Sequence, residues 1–396
     1  MTTRAEPPRA YPFAFREAEV SPNYAELRRE QPVAWVKLPY GEPGWLVTRY
    51  ADVRTVMTDP RFSRAIAQGL DQPRMRAENM NDGIMGMDPP DHSRLRSLVA
   101  KAFTARRVEK LRANVQRLAD RLSDDMQAQG PPSDLVEHFA RPLPVSVICE
   151  LLGVPYEDYP MFSRWTEAFT NEQSAMAEVM TTIGPEMDRY MSRLIAQRRE
   201  RPTDDLLGAL VRARDEGDKL TETELIDFTG AGLLTAGTET VSAGLPSMIF
   251  VLSRRPEALA LLREEPDVMP GAVEELLRFT PINTAAMFPR YPLEDVELSG
   301  VTVRAGEPVL PSIAAANRDP EVFDRPDELD LRRARNPHLT FGHGPHHCVG
   351  AQLARIELQV ALRTLLDRFP RLRLADGVRW RFGVVVRGPA TMPVTW

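Results

Sequence analysis

Three kinds of hydrophobic spacing divide the chain. Val36, Leu38, Trp45 and Val47 alternate with polar positions around Gly41-Glu42-Pro43-Gly44, which predicts two strands and a turn over Ala34–Val47. Val296–Val303, Pro308–Ile313 and Val384–Val394 carry further strand signals. Between Asp52 and Arg278 apolar residues recur mostly at helical spacing. Two helices stand out. One starts at the capping box Thr221-Glu222-Thr223-Glu224, takes its apolar body from Leu225, Phe228, Leu233 and Leu234, and closes at Arg254-Arg255-Pro256. The other runs from Ala351 to Phe369 on Leu353, Ile356, Leu358, Val360, Leu362, Leu365 and Leu366, and Pro370 ends it. No internal repeat or low-complexity linker interrupts the pattern. It predicts a helix-rich chain with small β-sheets.

The 351–369 helix directs attention to what precedes it, Phe341-Gly342-His343-Gly344-Pro345-His346-His347-Cys348-Val349-Gly350. Cys348 lies just before a helix N-terminus, where free amides and the helix dipole stabilise a thiolate. Gly344 and Gly350 permit close approach of backbone to a flat macrocycle. Phe341 is placed to cover the sulfur. A thiolate in such a loop suits a haem iron, and a thiolate ligand favours O–O cleavage. The rival is a zinc cluster of His343, His346, His347 and Cys348. It is disfavoured because the histidines crowd one loop and no C-x-x-C or H-E-x-x-H accompanies them. His338, His343 and His347 are read as structural.

The long helix from Thr221 contains Ala236-Gly237-Thr238-Glu239-Thr240. Glycine there costs roughly 1 kcal/mol relative to alanine. A local rule broken inside a long helix suggests a functional kink or groove. The bland alternative is an ordinary threonine bonding back to a carbonyl and a surface acid. Glu275 and Arg278 lie one helical turn apart, by itself a common solvated pair. Asp88-Pro89-Pro90-Asp91 opens a helix on which His92 and Arg96 share a face. Arg290 follows the strand-like Ala285–Pro289.

Phe-x-x-Gly-x-x-x-Cys-x-Gly at 341–350 resembles the haem-binding loop of the cytochrome P-450 family, the haem-thiolate monooxygenases. The resemblance extends to Ala236–Thr240, to Glu275-x-x-Arg278, to Asp88–Arg96 and to Ala316-Asn317-Arg318-Asp319-Pro320, almost end to end. It implies one mostly α, roughly triangular haem-binding domain over 1–396. The helix-rich lobe would span about 51–280, the β portion about 30–50, 281–315 and 380–396, and the haem-thiolate loop 341–350. It implies haem b with Cys348 as axial ligand, and Phe341 and Gly350 beside it. His92, Arg96, Arg290 and His346 would grip the propionates. Thr240 would hold dioxygen and Glu239 would feed protons. Val241 departs from a frequent family Ser or Thr, which bears on the water chain. Glu275, Arg278 and Arg333 would form a structural ion network that holds the loop without taking part in chemistry.

Composition changes little of this. A chain of 396 residues, 43% hydrophobic, can bury a large core, and a net charge of −6 disfavours nucleic acid as a partner. Two cysteines, Cys149 and Cys348, exclude a disulfide framework and fit a reducing cytoplasm. The polar Met1–Pro8 resembles neither a signal peptide nor a membrane anchor, and no apolar run approaches the roughly 20 residues that span a bilayer. That points to the soluble bacterial type. Arginine outnumbers lysine, found only at Lys37, Lys101, Lys110 and Lys219, which suggests a high-GC bacterial genome.

The resemblance implies insertion of one oxygen atom from O2, with two electrons from NAD(P)H. Neither Gly-x-Gly-x-x-Gly nor an iron–sulfur cysteine set is present, so the electrons would come through separate partners, a ferredoxin and its reductase. Arg94, Arg96, Lys101, Arg106, Arg107, Lys110 and Arg112, with Glu109 among them, form a basic stretch that either docks an acidic protein or is simply solvated. A peroxide-driven or nitric-oxide-reducing relative would not need Glu239 with Thr240. A haem sensor or carrier would bind haem without a proton-delivery groove. Methionines in Phe62–Met87 (Met75, Met80, Met85, Met87) form either a mobile surface loop or an adaptable lid. Trp45–Tyr50, Val147–Pro155 and Phe288–Tyr291 look like the actinomycete branch that tailors macrolides and other polyketides. The family places Met85, Met87, Phe169, Leu233, Ala236, Ile282–Met287, Val385 and Val386 as pocket walls. They are mostly apolar, which suits hydroxylation or epoxidation of a macrolide-type metabolite, with a terpenoid or steroid-like molecule as second choice.

Overall fold

The computed structural model describes residues 7–77, 83–103, 105–170, 176–215, 220–283, 285–382 and 385–396. The chain forms two compact units. The first comprises Met1–Ser93, Gly271–Cys348 and Gly383–Arg387, and the second Arg94–Pro270, Val349–Phe382 and Gly388–Trp396.

The first unit is built on a four-stranded sheet in the order Arg9–Ala10, Val33–Lys37, Gly44–Val47, Val309–Pro311. The two inner strands are antiparallel, with Trp35 opposite Trp45, and Gly44–Val47 pairs in parallel with Val309–Pro311. Their period-2 pattern separates two cores. Val33, Val47 and Val309 join Val53, Val56, Phe62 and Phe323 on one face. Ala34, Val36, Leu46 and Leu310 join Tyr11, Tyr24 and Leu27 on the other. The Val296–Val303 signal resolves into a hairpin, Val296–Leu298 with Val301–Val303. Its turn residues, Ser299 and Gly300, both have positive φ, as a two-residue turn that matches strand twist requires. The strand-like Ala285–Pro289 is not a strand. Phe288 takes φ 56°, which breaks the extended path, and pairing begins at Arg290, bridged to Val309, and continues at Tyr291–Pro292 against Phe62–Ser63.

In the second unit the capping box forms as the sequence predicts. Thr221 Oγ1 accepts from the Glu224 N–H, and Glu224 Oε2 accepts from the Thr221 N–H. The helix then runs Glu222–Asp227, widens into a π-helical segment at Phe228–Gly232, and continues as Leu233–Ser253. The irregularity therefore lies before Ala236–Thr240, which stays α-helical. Gly237 has a packing reason instead: a Cβ there would lie 2.6 Å from Ile148 Cδ1 of the helix Pro142–Leu152. The helix Ala351–Arg368 packs against Arg112–Gln129 and Leu233–Ser253 through its largely buried surface. At the C-terminus Pro389–Thr391 pairs with Arg379–Trp380, and Pro393–Thr395 with Arg373–Leu374 and Ser133–Asp134, while Val386 bridges to Asn283. Val384 lies outside the described residues. Among the described residues, no helix is long and apolar enough to cross a membrane.

Candidate active site

In the first unit, the Cys348 N–H donates to the Phe341 carbonyl at 2.8 Å, and the Gly342 N–H to the Leu339 carbonyl at 2.8 Å. The loop turns on Gly342 and Gly344, with φ of 74° and 73°. At Gly344 a Cβ would sit 2.7 Å from the Met57 carbonyl oxygen, so glycine is required by space as well as by conformation. Cys348 is exposed. Cys149 is fully buried, and burial, then Asp158 and Glu150, push its thiol up, so it is an inert core residue. Gly350 is the N-cap of the helix Ala351–Arg368 and places no side-chain acceptor over its first turn. The Phe341 ring centroid lies 5.9 Å from that of His338.

Behind this loop the first unit gathers positive charge. His92 is buried, and its ring centroid lies 4.0 Å from that of His346. Arg64 Nη1 donates to the Met85 carbonyl at 2.9 Å and lies 3.3 Å from His346 Nδ1, while its guanidinium covers the Phe288 ring. Arg290 is buried, and its charge adds to burial in lowering Arg64. Burial, then Arg64, His92 and Arg290, push His346 down to about 2. Burial takes Arg290 down to about 10, with Asp88 opposing. Asp88 accepts from Ser63 Oγ and from the Arg64 N–H. The Nε atoms of Arg64 and Arg290 are buried without a hydrogen-bond partner. Crowded cations with orphaned donors call for buried anions. Two carboxylates of a haem meet that need, so the residues present fit the group. The histidines do not converge on a metal. His346 is engaged with His92 and Arg64, His343 Nε2 lies 3.2 Å from Arg54 Nη2, and His338 Nε2 lies 3.0 Å from Glu274.

Glu275 and Arg278 are not a solvated pair. Both side chains are fully buried, joined at 2.7 and 2.8 Å, and Arg333 Nε and Asn336 Nδ2 each reach Glu275 Oε2 at 3.0 Å. Burial raises the Glu275 pKa, but hydrogen bonds from Arg278 and the Asp330 N–H outweigh it and hold the carboxyl below its ordinary value. Arg278 also donates to the carbonyls of Asn317, Pro326 and Glu328. Asn317 carries the linkage onward. Its Oδ1 accepts from the Leu339 N–H, and its Nδ2 donates to Thr340 Oγ1. The ion network thus reaches the base of the cysteine loop.

In the second unit, Thr240 is half-buried, and its Oγ1 donates to the Ala236 carbonyl at 3.2 Å. Glu239 Oε1 lies 3.8 Å from Arg381 Nη1. Leu233 is buried and Ala236 exposed on the same helix. Arg96 is half-buried on the helix Asp91–Ala102. Arg94 pairs with Glu224, and Arg112 with Glu109 and Gln359, which reduces the basic stretch as a free patch. The side chains of Lys101, Arg106, Arg107 and Phe169 lie outside the described residues, as do Met80 and Thr284. In the first unit, Met85 is exposed, Met87, Ile282, Met287 and Val385 are half-buried and Val386 is buried. The strand bridge Asn283–Val386, with the Arg387 N–H donating to the Ile282 carbonyl at 2.7 Å, brings Ile282 and Val386 together. Arg64 and Arg381 were not legible in the sequence, because neither lies in a patterned segment and both acquire partners only through tertiary packing.

This combination of a helix-rich fold, a cysteine loop before a helix and a buried cation cluster is that of a haem-thiolate protein. The chain belongs to the cytochrome P-450 family, whose profile matches residues 159–377. It is an oxygenase of the oxidoreductase class, with haem b held by a cysteine thiolate and O2 as co-substrate, and the family draws electrons from redox partners. Mycinamicin IV hydroxylase/epoxidase of Micromonospora griseorubida is 50% identical over 398 residues, covering 100% of both chains. Nocardicin C N-oxygenase of Nocardia uniformis subsp. tsuyamanensis is 49% identical, covering 98% of each. Among solved structures, a variant of the mixed-function P-450 MycG in complex with mycinamicin IV has a TM-score of 0.94 at 50% identity, covering 98% of this chain and 100% of that one.

Proposed function

We propose that this enzyme hydroxylates or epoxidises a macrolide-type secondary metabolite, with Cys348 as the axial ligand of its haem. The observation that carries the ligand assignment is the pair of cysteines: one thiol is exposed in a glycine-turned loop and the other is entombed. Haem held by a thiolate supplies oxygen activation and O–O cleavage. Arg64, added to the set expected from sequence, and Arg290 would supply the charge that holds the propionates, with His92, His346 and Arg96 as further hydrogen-bond partners. Thr240, whose hydroxyl donates to the Ala236 carbonyl, would give up that bond to hold and orient a proton at the site. Glu239 relays protons from solvent to that step. Glu275, Arg278 and Arg333 hold the loop that carries Cys348. Electrons come from a ferredoxin and its reductase, and the chain works in the cytoplasm.

The macrolide assignment is supported by the mycinamicin oxidase at 50% identity, and by half-buried apolar walls at Met87, Ile282 and Met287. The nocardicin relative favours a second reading, oxidation at nitrogen. Titration of the purified enzyme with macrolactones, glycosylated macrolides, amine-bearing β-lactams, terpenes and fatty acids separates these readings. A low-to-high-spin shift followed by oxygenated product with a macrolide is expected. Binding and turnover only with fatty acids or small terpenes would reject it.

Thr240→Ala is expected to retain haem and substrate affinity but to divert most reducing equivalents to hydrogen peroxide. A positioned donor contributes about 10²–10⁴-fold to such a proton transfer. The ratio of product to NAD(P)H consumed is the measurement, and an unchanged ratio would remove Thr240 from the mechanism.

A further inference from the structure

Glu239 does not stand alone on its helix. Arg381 Nη1 lies 3.8 Å from its Oε1, and both side chains are only 13% exposed. Arg381 directly follows the strand Arg379–Trp380, which pairs with Pro389–Thr391, and its N–H donates to the Gly388 carbonyl at 3.0 Å. This hairpin is fixed to the helix Leu233–Ser253 at two points. A Cβ on Gly388 would meet the Ala243 Cβ at 2.7 Å, so the backbones touch there. The Trp380 ring meets Phe250 edge-on, with centroids 5.2 Å apart. The hairpin is therefore held in register along the helix, and Arg381 reaches Glu239 as a consequence. Of the other charged side chains on segments packed against this helix, Arg164 pairs with Glu186, Glu167 with Arg141, His138 lies beside Ser133 and Arg379 beside Thr391. Two acids there each have one buried oxygen lacking a hydrogen-bond partner: Glu150 on Pro142–Leu152, and Glu357 on Ala351–Arg368, whose carboxyl burial pushes up to about 8.

We propose that Arg381 is a positioning residue for Glu239, holding its carboxylate ionised and oriented as the solvent-side entry of the proton relay. The inference rests on reading Glu239 as the proton-relay acid. An ion pair this sheltered from water is screened less than a surface pair, yet 3.8 Å is long enough to part without large cost. The carboxylate takes a proton from solvent, leaves Arg381 while neutral, passes the proton inward, and returns as an anion. An arginine suits the tether because it stays charged at any working pH and cannot itself divert the proton.

The test uses the holoenzyme with its redox partners and two spectroscopic arms. Arg381→Gln should lower the ratio of product to NAD(P)H at least two-fold without changing the carbon-monoxide spectrum or substrate affinity. Arg381→Lys should restore most of it. In a Glu239→Gln background, Arg381→Gln should have no further effect, because coupled residues are not additive. Independently of turnover, the protonated-carboxyl infrared band of Glu239 is isolated as the difference from Glu239→Gln. Loss of an opposite charge should raise its titration midpoint by about one unit or more. An unmoved midpoint, or additive effects in the double variant, would overturn the proposal. A normal coupling ratio in Glu239→Gln would overturn the reading beneath it, while the infrared arm would still report whether Arg381 holds the carboxylate.

Discussion

Cys348→Ser is expected to lose the red-shifted Soret band of the reduced, carbon-monoxide-bound enzyme, and with it measurable monooxygenase activity. Cys149→Ser is expected to keep both. The two thiols differ by environment. Cys348 is exposed in a loop turned by Gly342 and Gly344, whereas Cys149 is fully buried in the helix Pro142–Leu152 with its thiol pushed up by burial. A thiolate is the ligand form, and only the first site leaves it accessible. Cys149→Ser instead buries a hydroxyl in an apolar site, a cost of about 1–3 kcal/mol in stability. A visible spectrum and an unfolding curve on both variants separate the two effects. Retention of the band in Cys348→Ser would refute the ligand assignment.

The elements that sequence patterning predicted well are those whose signal is local. The Thr221 capping box, the hairpin around Gly41–Gly44 and the helix after Cys348 each depend on residues a few positions apart, and each forms close to where the pattern places it. The long helix was legible in extent but not in shape. Gly237 reads as a weak point, yet its missing side chain serves contact with Ile148, and the widened turn falls at Phe228–Gly232 instead. Ala285–Pro289 looked extended because its residues suit a strand, but the positive φ of Phe288 has no signature in a phenylalanine. The cysteine loop was named from its spacing, and His92, Arg96, Arg290 and His346 were expected as propionate partners from the family resemblance alone. Arg64 could not, since 282 positions separate it from His346, and only tertiary folding brings them within 3.3 Å. Arg381 and Asn317 were missed in their roles for the same reason. The ion network of Glu275, Arg278 and Arg333 was expected from the family resemblance and forms, but its burial was not visible in the spacing, because an acid and a base at i,i+3 read identically on a solvated face.

That buried pair carries the largest expected effect on stability. Arg278→Ala should destabilise the enzyme by about 3–5 kcal/mol, because it leaves the charge of Glu275 buried and undercompensated. Arg278 also donates to the carbonyls of Asn317, Pro326 and Glu328, so one buried and two partly buried acceptors lose their donor at once. Arg278→Lys should recover little, since an ammonium cannot reproduce the planar fork that serves Glu275 through both Nε and Nη2. The exposed i,i+3 pair Arg325–Glu328 provides the control, and Arg325→Ala should leave the unfolding midpoint nearly unchanged. The sign of the pH dependence follows from Glu275. Its folded-state pKa lies below the ordinary 4.5, so its contribution is present above that value and is lost as pH falls through the folded pKa. The stability gap between wild type and Arg278→Ala should therefore narrow below about pH 4.5. Because Asn317 ties this network to Leu339 and Thr340, the variant should also release haem at denaturant concentrations where the rest of the chain is still folded. Denaturant titrations followed by Soret absorbance and far-ultraviolet dichroism on the same samples decide this. Coincident transitions at wild-type stability would show that the network does not hold the loop.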